Sequence, residues 1–307
     1  MPNIEHLIGA LPSAAAQGLI WGIMAIGVYI TYRVLDVADL TVDGTLCTGG
    51  ATFIMMMLAG YNTWFCLLAA FIAGMLAGLA TGLFHTFMGI PAILASILTQ
   101  LGLYSVNLKI MGKANQAINV DRFPLLVSLR YIKDVPFYRN TILVVFLFIV
   151  AIIGILYWFF GTELGCSMRA TGCNQQMARA QGINTKVCIV LGLMVSNGLV
   201  GLSGALLAQY QGFADVQMGR GAIVIGLAAV IIGEALLGKI CQNFAYKLAT
   251  VAAGSIIYYI VLQVVIWLKV DTDLLKLLTA LLVAVFLAIP YWKQQYFNRV
   301  GGKKGGK

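Results

Sequence analysis

Four acids stand at the edges of apolar runs in this 307-residue chain: Asp39 and Asp43 before one run, Asp215 before another, and Glu234 at the end of the latter. Carboxylates in or beside a membrane are costly and tend to mark solute or ion pathways, proton relays included. The same placement also suits acids that sit at the interface, cap helix N-termini, or pair with Arg33 or Arg220. Asp39 and Asp43 look more like capping acids than proton carriers. Asn197 lies in mid-run, where an interhelical hydrogen bond is the expected use. No catalytic set accompanies these residues: G-x-S-x-G, H-E-x-x-H and G-x-x-x-x-G-K-[ST] are all absent. The C-terminal GGKKGGK lacks the following Ser or Thr and the strand–helix setting of a phosphate loop. Cys47, Cys66, Cys166, Cys173, Cys188 and Cys241 form no C-x-x-C pair, and His6 and His85 stand alone, so no metal site is expected.

The elements that must hold these residues are set by composition. Apolar residues make up 61% of the chain and charged ones 10%, against about 25% charged in soluble domains. Residues 44–108 carry no Asp, Glu, Lys or Arg, far more than the roughly 20 residues one span requires. Only helices or closed barrels satisfy the backbone in lipid, and continuous apolar runs read as helices. The expected fold is an all-α integral membrane protein with about nine spans (8–10), at 13–32, 46–60, 63–84, 91–110, 141–160, 187–208, 222–237, 248–268 and 274–292. The second and seventh are short. Polar stretches fill 112–140 and 161–186, and a basic tail, expected to be disordered, fills 293–307. The whole chain reads as one domain: a first half over 13–160, the loop 161–186, and a second half over 187–292. The net charge of +9 fits basic loops of a membrane protein and not a nucleic-acid partner. No Lys or Arg precedes the first run, so that run is expected to be retained and not cleaved as a signal.

Placing the tail inside the cell puts eleven Lys and Arg inside and nine outside, a small bias toward a cytosolic C-terminus and an outer N-terminus. VADLTVDGTLCTGG from Val37 and FADVQMGRGAIVIG from Phe213 share an Ala-Asp pair, Ala38-Asp39 and Ala214-Asp215, and each leads into a short span. The first span then maps onto the sixth, an odd offset that inverts one half relative to the other. Inverted repeats and short paired segments point to a transporter and its substrate path. Gly74, Gly78 and Gly82 form a small-residue ladder, open to use either within the chain or at a dimer seam.

The loop GTELGCSMRATGCNQQMARAQGINTKV reads equally as a solvated loop or as a short helix lying across the membrane surface. It resembles the coupling-helix segment of ABC importer permeases of the branched-chain amino acid and ribose type, through Leu164-Gly165, Arg169-Ala170, Gly172, Asn174, Ala178 and Gly182-Ile183-Asn184. YRVLDVADLTVDGT and GLAAVIIGEALLG are further similar to a tryptophan/tyrosine transport subfamily of these permeases. The resemblance covers nearly the whole chain. It implies two permease chains, two ATPase subunits docked from the cytosol, and an extracytoplasmic substrate-binding protein, in a bacterial inner membrane. It implies that ATP and Mg are used by the ATPase, with no cofactor on this chain. In that picture Gly165 and Gly172 permit tight turns, Arg169 and Asn174 bond the ATPase or fix the loop, and Gly182 ends the helix. The expected function is the permease of an ATP-driven importer for a small organic solute such as an aromatic amino acid. Asp39, Asp43, Asn197, Asp215 and Glu234 are the candidates for the translocation path. An ion-coupled secondary transporter is the competing reading, for which the four acids are the residues to study. The stretch PLLVSLRYIKDVPF within 112–140 is open to a membrane-surface or a binding-protein role.

Overall fold

Asn62, Asn140 and Asn184 each precede an apolar run, and each side-chain oxygen accepts a bond from a backbone amide of the helix that follows, at Trp64, Ile142 and Val187. An Asn at this position satisfies one of the orphan donors of a helix start. The computed structural model describes residues 4–120, 123, 125–129, 140–237, 243–267 and the positions 277, 280, 281, 283–285 and 288. Along these, α1 is Ile4–Tyr29, α2 Val42–Leu58, α3 Thr63–Thr86, α4 Ala92–Met111, β1 Asn115–Ala117, α5 Thr141–Gly161, α6 Glu163–Cys173, α7 Gln175–Ala180, α8 Thr185–Gln211, β2 Phe213–Asp215, α9 Ala222–Leu237 and α10 Phe244–Trp267. α1 continues through a π-helical turn, Ile30–Val34. The first helix therefore starts at Ile4 and not at 13, with Pro12 carried inside it.

Six of these helices are long and apolar enough to cross a membrane: Gly9–Val34, Thr63–Thr86, Ala92–Met111, Thr141–Gly161, Thr185–Gln211 and Phe244–Trp267. α2 and α9, at 17 and 16 residues, are shorter. At 1.5 Å per residue each reaches roughly 25 Å, less than the ~30 Å hydrocarbon layer. The expected ninth span at 274–292 and the tail lie outside the described residues, apart from the isolated positions.

α1 and α8 are the centre. In their spanning windows 89% and 72% of residues are buried, against 22% for α4 and for α5. The open faces of α4 and α5 carry Leu98 and Leu101, and Phe146 and Val150, which is how a helix meets lipid. α8 packs on α3, α2 and α1, while α1 packs on α10, α8 and α9. Ser196 Oγ donates to Gly27 O at 2.7 Å and Ser203 Oγ to Ile20 O at 2.8 Å, so α1 and α8 run antiparallel. Ser255 Oγ of α10 donates to Gly18 O of α1 at 2.7 Å.

The glycine ladder seats α3 on α8 of the same chain. A Cβ on Gly74 would overlap the Asn197 carbonyl, and one on Gly78 the Leu193 carbonyl. With no Cβ at either position the two backbones can approach closely.

Two ends of the bundle follow from these directions. At one lie the C-termini of α1, α3 and α5, the N-terminus of α8, and the helices α6 and α7. At the other lie β1 and β2, paired antiparallel with Gln116 opposite Ala214. β2 follows α8, whose 27 residues span about 40 Å. Part of the 112–140 stretch packs into the chain: Leu125 and Val127 are buried, and Leu126 N donates to Gln209 Oε1. Residues 130–139 are outside the described set.

Candidate functional site

The five polar residues singled out in the sequence separate into four places. Asp39 and Asn197 meet in the interior. Asn197 Nδ2 donates to Asp39 Oδ2 at 2.7 Å and to Leu193 O at 3.0 Å, while its Oδ1 accepts from Thr45 Oγ1 at 2.7 Å. Asp39 Oδ1 accepts from Thr41 N at 2.9 Å. Thr41 Oγ1 pairs with Thr81 Oγ1, which donates to Thr99 Oγ1 at 2.9 Å. Asp39 is 2% exposed and Asn197 fully buried. This chain of groups ties the turn before α2 to α2, α3, α4 and α8. Asn197 does what its mid-run position implied. The threonines were missed, although Thr41, Thr45, Thr48 and Thr52 recur at helical spacing around a charge-free run, a readable sign of a polar stripe.

Asp43 caps a helix, but not its own. Its Oδ2 accepts from Gly221 N and its Oδ1 from Ile223 N, both at 3.0 Å, so the carboxylate from the first turn of α2 caps α9. The starts of α2 and α9 thus meet, with Gly219 packed against the Asp43 carbonyl and Cys47. Carboxylates are favoured at helix N-termini, where free amides and the dipole present positive charge. Asp215 sits apart at the strand pair, accepting from Gln217 N at 2.6 Å and from Asn115 Nδ2 at 3.3 Å. Glu234 pairs with Arg33 at 3.1 Å across the helix ends nearest α6.

The 161–186 loop holds two helices, broken at Asn174. That residue ends α6 and opens α7, its side chain accepting from Gln176 N and Met177 N at 3.0 Å each. Gly165 and Gly172 are helical and not turn residues. They allow close approach: a Cβ would overlap the Phe159 carbonyl at Gly165 and the Val34 carbonyl at Gly172. Gly182 follows α7 with φ +80°, a conformation that favours glycine. Ala178 is buried and its carbonyl accepts from Ile183 N at 3.1 Å. Arg179 Nε donates to Thr185 Oγ1 at 2.9 Å, tying α7 to α8. Arg169 is exposed, yet its guanidinium carbon stands 5.6 Å from the centroid of the Phe244 ring at the start of α10. Together with Arg33, Glu234 and Lys247 it lines a cavity of about 270 Å³. Arg169 thus reaches the bundle at α10, while the bonds of Asn174 stay within the α6–α7 pair. Among the exposed residues of the pair are Ala170 and two large apolar side chains, Leu164 and Met177, at 56% and 65% exposed. Among the described residues no cluster of three His, Cys, Asp or Glu could hold a metal ion.

Residues 11–289 match the branched-chain amino acid transport system permease component family. A tyrosine transport system permease protein of Clostridioides difficile (strain R20291) is 38% identical over 276 residues, covering 90% of this chain and 90% of that one. The autoinducer 2 import system permease protein LsrC of Salmonella typhimurium is 28% identical over 218 residues, 70% of this chain and 60% of that relative. Among solved structures, a metal-chelate type ABC transporter in an inward-facing conformation superposes with a TM-score of 0.50 at 14% identity, over 92% of this chain and 85% of that one. At that identity the likeness concerns the fold alone.

Proposed function

The chain belongs to the branched-chain amino acid transport system permease family, and from that premise we propose that it imports an amino acid, aromatic ones included, as half of a permease dimer. It is a multi-pass membrane protein and the permease component of an ABC transporter. Two ATPase subunits, which use ATP and Mg, dock on the α6–α7 face, and an extracytoplasmic binding protein delivers solute to the β1–β2 end. The membrane is a bacterial inner membrane, the C-terminus is cytosolic, and a ninth span covers 274–292. The aromatic substrate takes its support from the name of the Clostridioides difficile relative.

The observation that carries this reading is the α6–α7 pair. It is bolted to the ends of α1, α5, α8 and α10 through Gly172, Gly165, Arg179 and Arg169, yet presents exposed apolar side chains at Leu164 and Met177. A rigidly held element with an apolar outer face suits a lever driven by a docked subunit. The reading includes two inverted repeats, which a shared spacing supports. Asp39 and Asp215 are 176 residues apart, as are Ile20 and Ser196, and Gly27 and Ser203. The two serine bonds between α1 and α8 are therefore images of one another, and Asp39 and Asp215 each bond the amide two residues on.

The test is reconstitution with the ATPase subunit and the binding protein in proteoliposomes. Uptake should require ATP. Met177→Asp should release the ATPase, and Arg169→Glu should leave it bound and hydrolysing while uptake falls. Uptake that follows a proton or sodium gradient without any ATPase would favour an ion-coupled transporter, and unchanged uptake in both variants would remove α6–α7 from the mechanism.

A further inference from the structure

Where the starts of α2 and α9 meet, a cavity of about 270 Å³ opens between α2, the second half of α4 and the segment joining β2 to α9. It lies toward the β1–β2 end, since that joining segment follows directly from β2. Its walls carry a charge of each sign. Asp43 is on the α2 side and Arg220 on the segment before α9. Arg220 is exposed and forms no ion pair among the described residues. Asp43 accepts from Gly221 N and Ile223 N at the start of α9 and also meets Ala222 N, and an ionised carboxylate offers about four acceptor positions, so it retains capacity toward the cavity. Asn107 also lines the cavity. It is 1% exposed, its Nδ2 reaches Gly44 O at 3.4 Å, and its Oδ1 has no hydrogen-bond partner among the described residues. A buried polar atom left unmatched is uncommon and calls for a ligand or water. Leu101 and Tyr104 supply an apolar and aromatic wall along α4.

We infer that this cavity is a binding site for a zwitterionic α-amino acid inside the permease, with Arg220 holding the carboxylate, Asp43 and Asn107 Oδ1 the ammonium, and the Leu101–Tyr104 face of α4 the side chain. A guanidinium binds a carboxylate through two parallel bonds, and an ammonium brings three donors to a place with spare acceptors. The volume lies just under the roughly 300–1,000 Å³ of pockets for drug-sized ligands, which sets the scale at a single small solute. The site would let the permease itself discriminate after the binding protein has let go. It deepens the importer reading and rests on it for the direction of delivery.

The experiment measures binding to the purified full-length permease alone, in lipid nanodiscs, with no ATPase present. The probes are L-tyrosine, L-tryptophan and L-leucine, with tyramine as the analogue lacking the carboxylate and 3-(4-hydroxyphenyl)propionate as the one lacking the ammonium. Saturable binding of at least one amino acid is expected, with each analogue weaker by tenfold or more than L-tyrosine. Arg220→Gln should weaken the amino acids about tenfold and leave tyramine unmoved, a pattern that loss of folding would not produce. Asp43→Asn should reduce binding of L-tyrosine and spare 3-(4-hydroxyphenyl)propionate. No binding of any of the three amino acids, equal affinity for L-tyrosine and tyramine, or an Arg220→Gln protein indistinguishable from wild type would each overturn the site. ATP-driven uptake in the reconstituted importer is measured alongside. Uptake that persists while the binding pattern fails refutes the site and leaves the importer standing; absent uptake refutes the importer, and the binding pattern still decides the site.

Discussion

Removing the Asn197 side chain takes three hydrogen bonds from the interior, and they are unequal. The bond to Leu193 O lies within its own helix and adds little. Thr45 loses Asn197 Oδ1 but keeps Thr41 O at 3.0 Å, so its share is about 0.6 kcal/mol, the average for interhelical polar contacts in membranes. The bond to Asp39 Oδ2 goes to a fully enclosed carboxylate, and hydrogen bonds to charged groups contribute about 1.5–3 kcal/mol. Asn197→Ala should therefore destabilise the permease by about 2–4 kcal/mol, read by SDS titration in mixed micelles with tryptophan fluorescence. A double-mutant cycle isolates the pair. Asn197→Ala with Asp39→Ala should couple by about 1.5–3 kcal/mol, whereas Asn197→Ala with Asp215→Ala should be additive within about 0.5 kcal/mol, since Asp215 lies at the strand pair. A coupling under about 0.5 kcal/mol for the first pair would mean that Asp39 and Asn197 do not share a bond, and the account of the interior cluster would fall with it.

Gly78→Leu drives a side chain into the Leu193 carbonyl and should destabilise by about 1–3 kcal/mol, as overpacking does; unchanged heat stability in detergent would contradict the close α3–α8 seat. Gly172→Val presses against the end of α1, so ATP hydrolysis should continue while uptake falls, and parallel losses of both would instead indicate a docking defect. Arg33→Ala should change stability by less than about 1 kcal/mol, because the pair with Glu234 is 58% and 32% exposed. Reversing either charge alone should slow uptake, and reversing both together should restore it, as measured in proteoliposomes.

The helices were legible because lipid imposes a one-dimensional rule: apolar residues in runs of sufficient length. The expected 63–84 and 141–160 differ from Thr63–Thr86 and Thr141–Gly161 by a residue or two. The break at Asn174 and the early start at Ile4 were not legible. The first depends on one side chain serving two helix ends, and the second on an N-terminal stretch polar enough to read as a lead-in. Among the polar residues, Asn197 declared its role because nothing else justifies an amide in mid-span. Asp43 was legible as a capping acid but not as the cap of α9, since sequence places it in the first turn of α2 while its partners lie 178 and 180 residues away. The sequence leaves Arg169 open between bonding the ATPase and fixing the loop, and its contact with Phe244, 75 residues on in the chain, comes only from the fold. Such long-range partners have no local signature.

The burial of α1 sets the order of assembly against the order of synthesis. This helix leaves the ribosome first, yet the helices that enclose it, α8, α9 and α10, are made last. At roughly 5–20 residues per second, the chain from the end of α1 to the start of α8 takes about 8–30 s to emerge. Through that interval α1 must stand in the bilayer with its notches at Gly18, Gly22 and Gly27 filled by lipid or by a chaperone of the insertion machinery. A nascent chain arrested before α8 would hold a helix with no destination, and membrane proteases would have it within reach. Expressing residues 184–307 as a separate polypeptide beside 1–183 would remove the timing while leaving α8 and its Asn184 cap whole, and so would reveal whether the delay or the sequence governs how α1 finds its place.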